Sequence, residues 1–252
     1  FLVVPNVDGQ RIGSGGATLG VLQRIAELRG NVDFAGLRIL VIHSGGDSKR
    51  IPQYSAQGKL FSPVPRELPD GRASTLFDEL LIATAGVPAR IPDGMLVMSG
   101  DVLLLFNPLQ IDFSGHNAAA LSFKESADVG KNHGVFLRGE DGTVAQFLHK
   151  QSVDSLRHIG AVNDDGRVDI DTGAVLFSVE VLQALMQLVL EEGRLHPEKF
   201  SRYVRRTTCL SLYGDFLYPM ASRSTLEEFW EQGTAGVLDG ALREIRTGLW
   251  NT

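Results

Sequence analysis

The chain has 252 residues, of which 43% are hydrophobic and 21% charged, with 28 glycines against 10 prolines. That length suits one large domain or two small ones, and the composition excludes disordered, collagen-like and disulfide-scaffold classes. Asp and Glu number 30 against 24 Lys and Arg, a net charge of −6, and an acidic chain without a basic run makes a poor nucleic-acid partner, because such binding depends on neutralising phosphates.

A single cysteine, Cys209, cannot pair within the chain, so nothing asks for an oxidising compartment. The apolar start, Phe1–Pro5, is short for a signal peptide and has no basic leader. The most apolar window, Met95–Phe106, is broken by Gly100-Asp101 and falls short of the ~20 residues a membrane span needs. The expectation is a soluble cytoplasmic protein with no membrane partner. The missing initiator Met suggests an excerpt of something longer.

In chain order, Leu2–Val4 reads as a strand. Ala17–Leu28 carries Leu19, Leu22, Ile25, Ala26 and Arg29 at spacings near three and four, which predicts a helix. Leu37–His43 is a β-branched run typical of a strand buried on both faces. Ser74–Ala85 has helical spacing at Leu76, Leu80, Leu81 and Thr84, with Gly86 as its stop. Met95–Met98 is the next buried strand, followed at once by Ser99-Gly100-Asp101.

Ala118–Lys124 and Val135–Arg138 read as strands, and the turn Gly139–Gly142 returns the chain along Val144–Leu148 as a hairpin. Ala174–Ser178 is a further strand, with a strong helix from Val179 to Glu192 behind it. Cys209–Tyr213 reads as a late strand, and Ser224–Arg246 as mostly helical. This alternation predicts an α/β fold with a parallel or mixed sheet covered on both faces. No repeat, low-complexity tract or linker marks a domain boundary.

In open α/β sheets ligands bind beyond the carboxyl ends of the strands. The second strand leads into Ser44-Gly45-Gly46-Asp47-Ser48-Lys49-Arg50, with Lys59 further on. Adjacent glycines let backbone N–H groups approach an anion, and Ser48 adds a hydroxyl donor. Lys49, Arg50 and Lys59 place three cations within eleven residues of an acidic chain. A glycine turn with solvated charges is the plain alternative. Other phosphate and hydrolase motifs fit poorly. Gly58-Lys59 is followed by Leu60 and has Gln53 where a Walker loop needs glycine, and Gly13–Thr18 ends on Thr18 where a dinucleotide fingerprint needs Gly or Ala. The six histidines make no His-x-His or His-Glu-x-x-His, and no Gly-x-Ser-x-Gly elbow occurs.

Taken in order, Ser44–Arg50, Lys59, Pro63-Val64, Ser99-Gly100-Asp101, His133-Gly134-Val135, Phe147–Ser152 and Asp171–Ala174 resemble the segments of sugar-phosphate nucleotidyltransferases. Gly13–Thr18 and the string Ile42–Tyr54 sharpen the likeness to fucose-1-phosphate guanylyltransferases (GDP-fucose pyrophosphorylases), found alone or fused to L-fucokinase. The sequence departs from that family at Gln151, where Pro is frequent, and at Ala17, where a further Gly is common.

The resemblance implies a three-layer α/β/α Rossmann-like nucleotidyltransferase domain with a mixed, mostly parallel sheet. Residues 1–252 then read as one catalytic domain. The implied reaction is Mg²⁺-dependent in-line attack of fucose-1-phosphate on the α-phosphorus of a nucleoside triphosphate, GTP favoured, giving GDP-fucose and pyrophosphate. Arg50, Lys59 and Asp101 are the implied catalytic residues, with Asp101 and Asp215 as metal carboxylates. Gly13, Ser14, Gly15, Gly16, Gly45, Gly46, Ser48 and Lys49 fall to the nucleotide. His133, Gly134, Lys150, Asp171 and Gly173 fall to the sugar phosphate. The rival readings are a fucokinase-type sugar kinase and a non-catalytic nucleotide-sugar-binding regulatory domain. Oligomeric state has no signature in the sequence.

Overall fold

The computed structural model describes residues 1–44, 51–54, 56, 58–205, 207–231 and 240–252. Residues 1–6 form no strand; Phe1 and Val3 stand largely exposed, so the apolar run at 2–4 buries little. Helix α1 (Gly13–Arg29) starts earlier than expected and buries Leu19, Leu22 and Ala26, the stripe that the spacing anticipates. Gly30, at φ 69°, closes it with a left-handed cap.

Strand β1 (Arg38–His43) buries only Val41 and leaves Leu40 exposed, so its β-branched run does not mean burial on both faces. A hairpin of β2 (Pro63–Glu67) and β3 (Ala73–Thr75) leads to α2 (Leu76–Thr84). Thr75 and Asp78 form a reciprocal capping box: the Asp78 amide donates to Thr75 Oγ1 (3.3 Å), and the Thr75 amide donates to Asp78 Oδ2 (2.9 Å). Strand β4 (Gly94–Ser99) is buried along almost its whole length, as its apolar run requires.

Strand β5 (Ala118–Ser126) and short helix α3 (Ala127–Gly130) precede the hairpin of β6 (Gly134–Arg138) and β7 (Val144–His149), antiparallel as expected. Helix α4 (Val153–Ile159) follows, capped by Ser152. Strand β8 (Arg167–Phe177) then runs well upstream of the expected start. Helix α5 (Val179–Gln187) stops short of Glu192, because β9 (Leu190–Glu191) and β10 (Arg194–Leu195) form a small hairpin there. After α6 (Pro197–Tyr203), the expected strand at 209–213 is absent: Cys209 takes φ 43°, and Leu212–Leu217 is a π-helical turn. Helices α7 (Leu226–Glu231) and α8 (Gly240–Trp250) end the chain. None of the helices among the described residues is long and apolar enough to cross a membrane.

The elements form an α/β structure with a mixed sheet, gathered into two compact units. One holds residues 34–121 and 172–179. There β1 and β4 pair in parallel, with His43 opposite Ser99, and residues 174–177 of β8 lie antiparallel to β4. Its core gathers Leu80, Val87, Leu96, Met98, Ala174 and Leu176.

The other unit holds residues 1–33, 122–171 and 180–252. Residues 169–170 of β8 pair antiparallel with β6. Val168 and Ile170 enter a core with Val135, Leu137, Leu148 and Leu156. Because side chains alternate along a strand, Asp169 and Asp171 point to the opposite face. This unit also buries an ion pair, Arg246 Nε to Asp215 Oδ1 at 3.0 Å, with the side chains 7% and 6% exposed. The guanidinium donates further to the carbonyls of Phe229 (3.0 Å) and Trp230 (2.9 Å). Burial pushes the Asp215 carboxyl up, opposed by the Ser211 amide and by Arg246.

Removing one partner of such a pair strands a buried charge. Arg246→Ala is expected to cost about 3–5 kcal/mol, read by denaturant unfolding, whereas Asp215→Asn combined with Arg246→Met costs less than Arg246→Ala alone.

Candidate active site

In the unit holding 34–121 and 172–179, the parallel strands end together at His43 and Ser99. The Gly100 amide donates to the His43 carbonyl at 2.9 Å, and the chain then presents Asp101. Ser99 Oγ donates to Asp101 Oδ1 at 2.7 Å. Lys59 Nζ donates to Oδ2 at 2.9 Å, from a helical turn spanning Lys59–Phe61. Gly173, at φ 78°, lies so near that a Cβ there would come within 3.0 Å of the Ser99 Cβ. Lys59, Asp101 and Gly173 are thus brought together. Ser99, to which no motif assigns a role, completes the group.

Burial tends to raise the Asp101 carboxyl, but the hydrogen bonds from Lys59 and Ser99 outweigh it and hold the carboxyl below its ordinary value. Asp101 is therefore ionised at neutral pH. Its side chain is 39% exposed, so a ligand from solvent can reach it. Burial lowers His43 to about 4, leaving it neutral at pH 7. Gly45, Gly46, Ser48, Lys49 and Arg50 lie outside the described residues.

Magnesium prefers oxygen ligands and is usually held by one or two carboxylates plus phosphates. Among the described residues there is no group of three or more His, Cys, Asp or Glu arranged to hold a metal. A lone, ionised, half-exposed carboxylate at a strand end fits a cation that arrives with a triphosphate, and Asp101 meets that description. Asp215 does not: it is buried, with Oδ1 taken by Arg246 and Oδ2 by the Ser211 amide at 2.6 Å.

The remaining expected residues fall in the other unit. Gly13–Gly16 forms the first turn of α1 and packs against the backbone at 209–212. A Cβ on Gly13, at φ 77°, would fall 2.0 Å from the Leu210 carbonyl oxygen. The Gly15 amide donates to that same oxygen at 2.8 Å, and Ser14 Oγ accepts from the Leu212 amide at 2.9 Å. These glycines are required by a close backbone approach, the same demand for a missing Cβ that a phosphate would make.

His133 and Lys150 meet where the β6–β7 hairpin opens. The Lys150 amide donates to the His133 carbonyl at 3.0 Å, and both side chains are exposed. Asp171 accepts at Oδ1 from the Tyr213 hydroxyl at 3.0 Å. Tyr213 stacks on Phe147, with ring centroids 5.0 Å apart, and Phe147 stands over Gly134, where a Cβ would fall 2.5 Å from the ring. No motif in the sequence marks Tyr213. Its only signal was its place between Leu212 and Gly214, and the partner lies 42 residues away.

The mixed sheet with parallel pairs and helices is consistent with a nucleotidyltransferase-like α/β fold. The sequence profile of the fucose pyrophosphorylase domain matches residues 32–252, and the chain belongs to that family. It is 30% identical over 207 residues, 69% of its length, to the bifunctional fucokinase/GDP-fucose pyrophosphorylase of Arabidopsis thaliana. To the fucose-1-phosphate guanylyltransferase of Mus musculus it is 32% identical over 259 residues, 90% of its length. The Homo sapiens protein of that name is 27% identical over 277 residues, 96% of its length. The matched regions cover 20%, 41% and 43% of those relatives.

Two stability measurements check these placements. Gly13→Ala is expected to lower the unfolding free energy by more than about 1 kcal/mol with no nucleotide present, because the left-handed φ and the Leu210 carbonyl both oppose a Cβ. Between pH 6.5 and about 4 the unfolded chain protonates His43 while the folded one does not. Stability held above pH 6.5 is thus lost as pH falls through that window, by up to about 3 kcal/mol from this group. In melts at pH 7 and 4.5, His43→Gln shows a smaller difference than the parent.

Proposed function

We propose that this domain transfers a guanylyl group from GTP to fucose-1-phosphate. A phosphate oxygen of the sugar phosphate forms a bond to the α-phosphorus, the bond from that phosphorus to the bridging oxygen breaks, and pyrophosphate leaves. The mouse and human relatives carry the name of that activity, and the family is that of the fucose pyrophosphorylase domain. The observation that carries the reading is the Lys59–Asp101–Ser99 group at the strand ends.

Phosphate is already a competent nucleophile, so the chain's task is positioning and charge neutralisation. Lys59 supplies a compact point charge to the α-phosphate and the departing pyrophosphate, and Arg50 a fork-shaped donor. Gly45, Gly46, Ser48 and Lys49 cradle the phosphates. Asp101 would hold a magnesium ion, which when bound withdraws charge from the triphosphate oxygens. Lys59 and Asp101 now neutralise each other at 2.9 Å. A triphosphate arriving with its own cation offers each a new partner. His133, Gly134, Lys150, Asp171 and Gly173 serve the sugar phosphate. A cytoplasmic setting suits a chain whose one cysteine, Cys209, is free.

Pyrophosphate release from GTP plus fucose-1-phosphate is the direct assay. Asp101→Ala and Lys59→Ala are each expected to slow it at least tenfold, about 1.4 kcal/mol of barrier. If neither does, the site assignment is wrong. ADP formed from ATP plus fucose would instead support a sugar kinase, and GDP-fucose binding without turnover a regulatory domain.

A further inference from the structure

We infer that Tyr213 is a positioning residue for sugar recognition, its hydroxyl orienting the Asp171 carboxylate to accept hydroxyls of the sugar phosphate beside the Phe147 ring. The inference rests on the guanylyltransferase reading and names what selects the sugar within it. Four observations support it, all within the unit that holds 1–33, 122–171 and 180–252.

Asp171 lies half-buried on the face of β8 turned away from the core. An ionised carboxylate is acceptor-only, so it matches hydroxyl donors. The Tyr213 hydroxyl takes one position, on Oδ1 at 3.0 Å, which fixes the rotation of the group. Burial, followed by the nearby Asp171 charge, pushes the Tyr213 phenol up, so it remains a donor at any working pH.

The aromatic platform is built on a missing side chain. A Cβ at position 134 would lie 2.5 Å from the Phe147 ring and 3.4 Å from the Asp171 Cβ, so glycine alone lets ring and carboxylate stand side by side. Tyr213 stacks on Phe147 with the planes 20° apart, and Phe136 meets the other ring at 5.4 Å. A carboxylate beside an aromatic face matches a sugar, which offers hydroxyls to the first and C–H groups to the second.

Tyr213 is itself held by an unusual device. It sits in the π-helical turn Leu212–Leu217, pinned from beneath by Asp215 and Arg246. Such turns are rare and occur frequently at functional sites. A tyrosine serving only to tie that turn to β8 would have no need of a glycine-backed ring beside its acceptor.

The test measures binding and turnover separately. Calorimetry gives the Kd for fucose-1-phosphate in the presence of a non-cleavable GTP analogue, and the Kd for the analogue itself. Tyr213→Phe keeps the stacked ring and removes only the donor. It is expected to weaken fucose-1-phosphate about tenfold with analogue affinity unchanged, while Tm falls by no more than the loss of one hydroxyl–carboxylate hydrogen bond. Asp171→Asn should do the same, and the double variant should be no worse than Asp171→Asn alone. Fucose-1-phosphate affinity unchanged in Tyr213→Phe overturns the inference, as does an equal loss of sugar and analogue affinity. Pyrophosphate release by the parent tests the guanylyltransferase reading separately: a parent that turns over while Tyr213→Phe binds normally sinks this inference alone.

Discussion

A buried ion pair anchors the larger of the two units. Arg246 and Asp215 are almost fully removed from water, and such a pair persists only where its remaining donors and acceptors are satisfied. Here the Ser211 amide completes the carboxylate, and the carbonyls of Phe229 and Trp230 complete the guanidinium. The pair fixes the turn at 212–217, and much else hangs from that turn. The Leu212 amide reaches Ser14, the Leu210 carbonyl sits where Gly13 and Gly15 leave space, and Tyr213 reaches Asp171. The segment that meets the first turn of α1 and the carboxylate on β8 is thus tied down by one charge in α8.

The other unit shows the opposite economy. Lys59 and Asp101 are 29% and 39% exposed, and a pair so placed contributes at most about 1 kcal/mol to stability. Yet it is backed by a third group, Ser99, and stands where parallel strands end. Geometry this ordered with so little return in stability points to chemistry. An ionised, part-exposed carboxylate paired with a lysine can exchange its partner for a phosphate-bound cation, whereas the sealed Asp215 cannot.

Legibility in the sequence followed the range of the interactions. The stripe of α1, the buried run of β4 and the Gly139–Gly142 hairpin are local patterns, and each is where the spacing puts it. Asp101 was readable because a strand followed at once by Gly-Asp has a fixed position in an α/β sheet. The apolar runs at 2–4 and 209–213 look the same on paper, but the first stays exposed and the second winds into a turn clamped by residues far along the chain. Asp215 took its role from Arg246, 31 residues on. Gly13–Gly16 shows the limit most plainly: a glycine cluster says that a Cβ is forbidden, and only distances say whether a ligand or a carbonyl forbids it.

If the Lys59–Asp101 group serves guanylyl transfer, the same site must also part GDP-fucose with pyrophosphate. Running the reaction backwards tests it most directly. With GDP-fucose, pyrophosphate and magnesium, followed by ³¹P NMR, the protein should produce GTP and fucose-1-phosphate in equal amounts. Asp101→Ala should leave both signals at background. GDP-fucose that stays intact with pyrophosphate present, or that yields GDP and free fucose instead, would rule out guanylyl transfer by this domain.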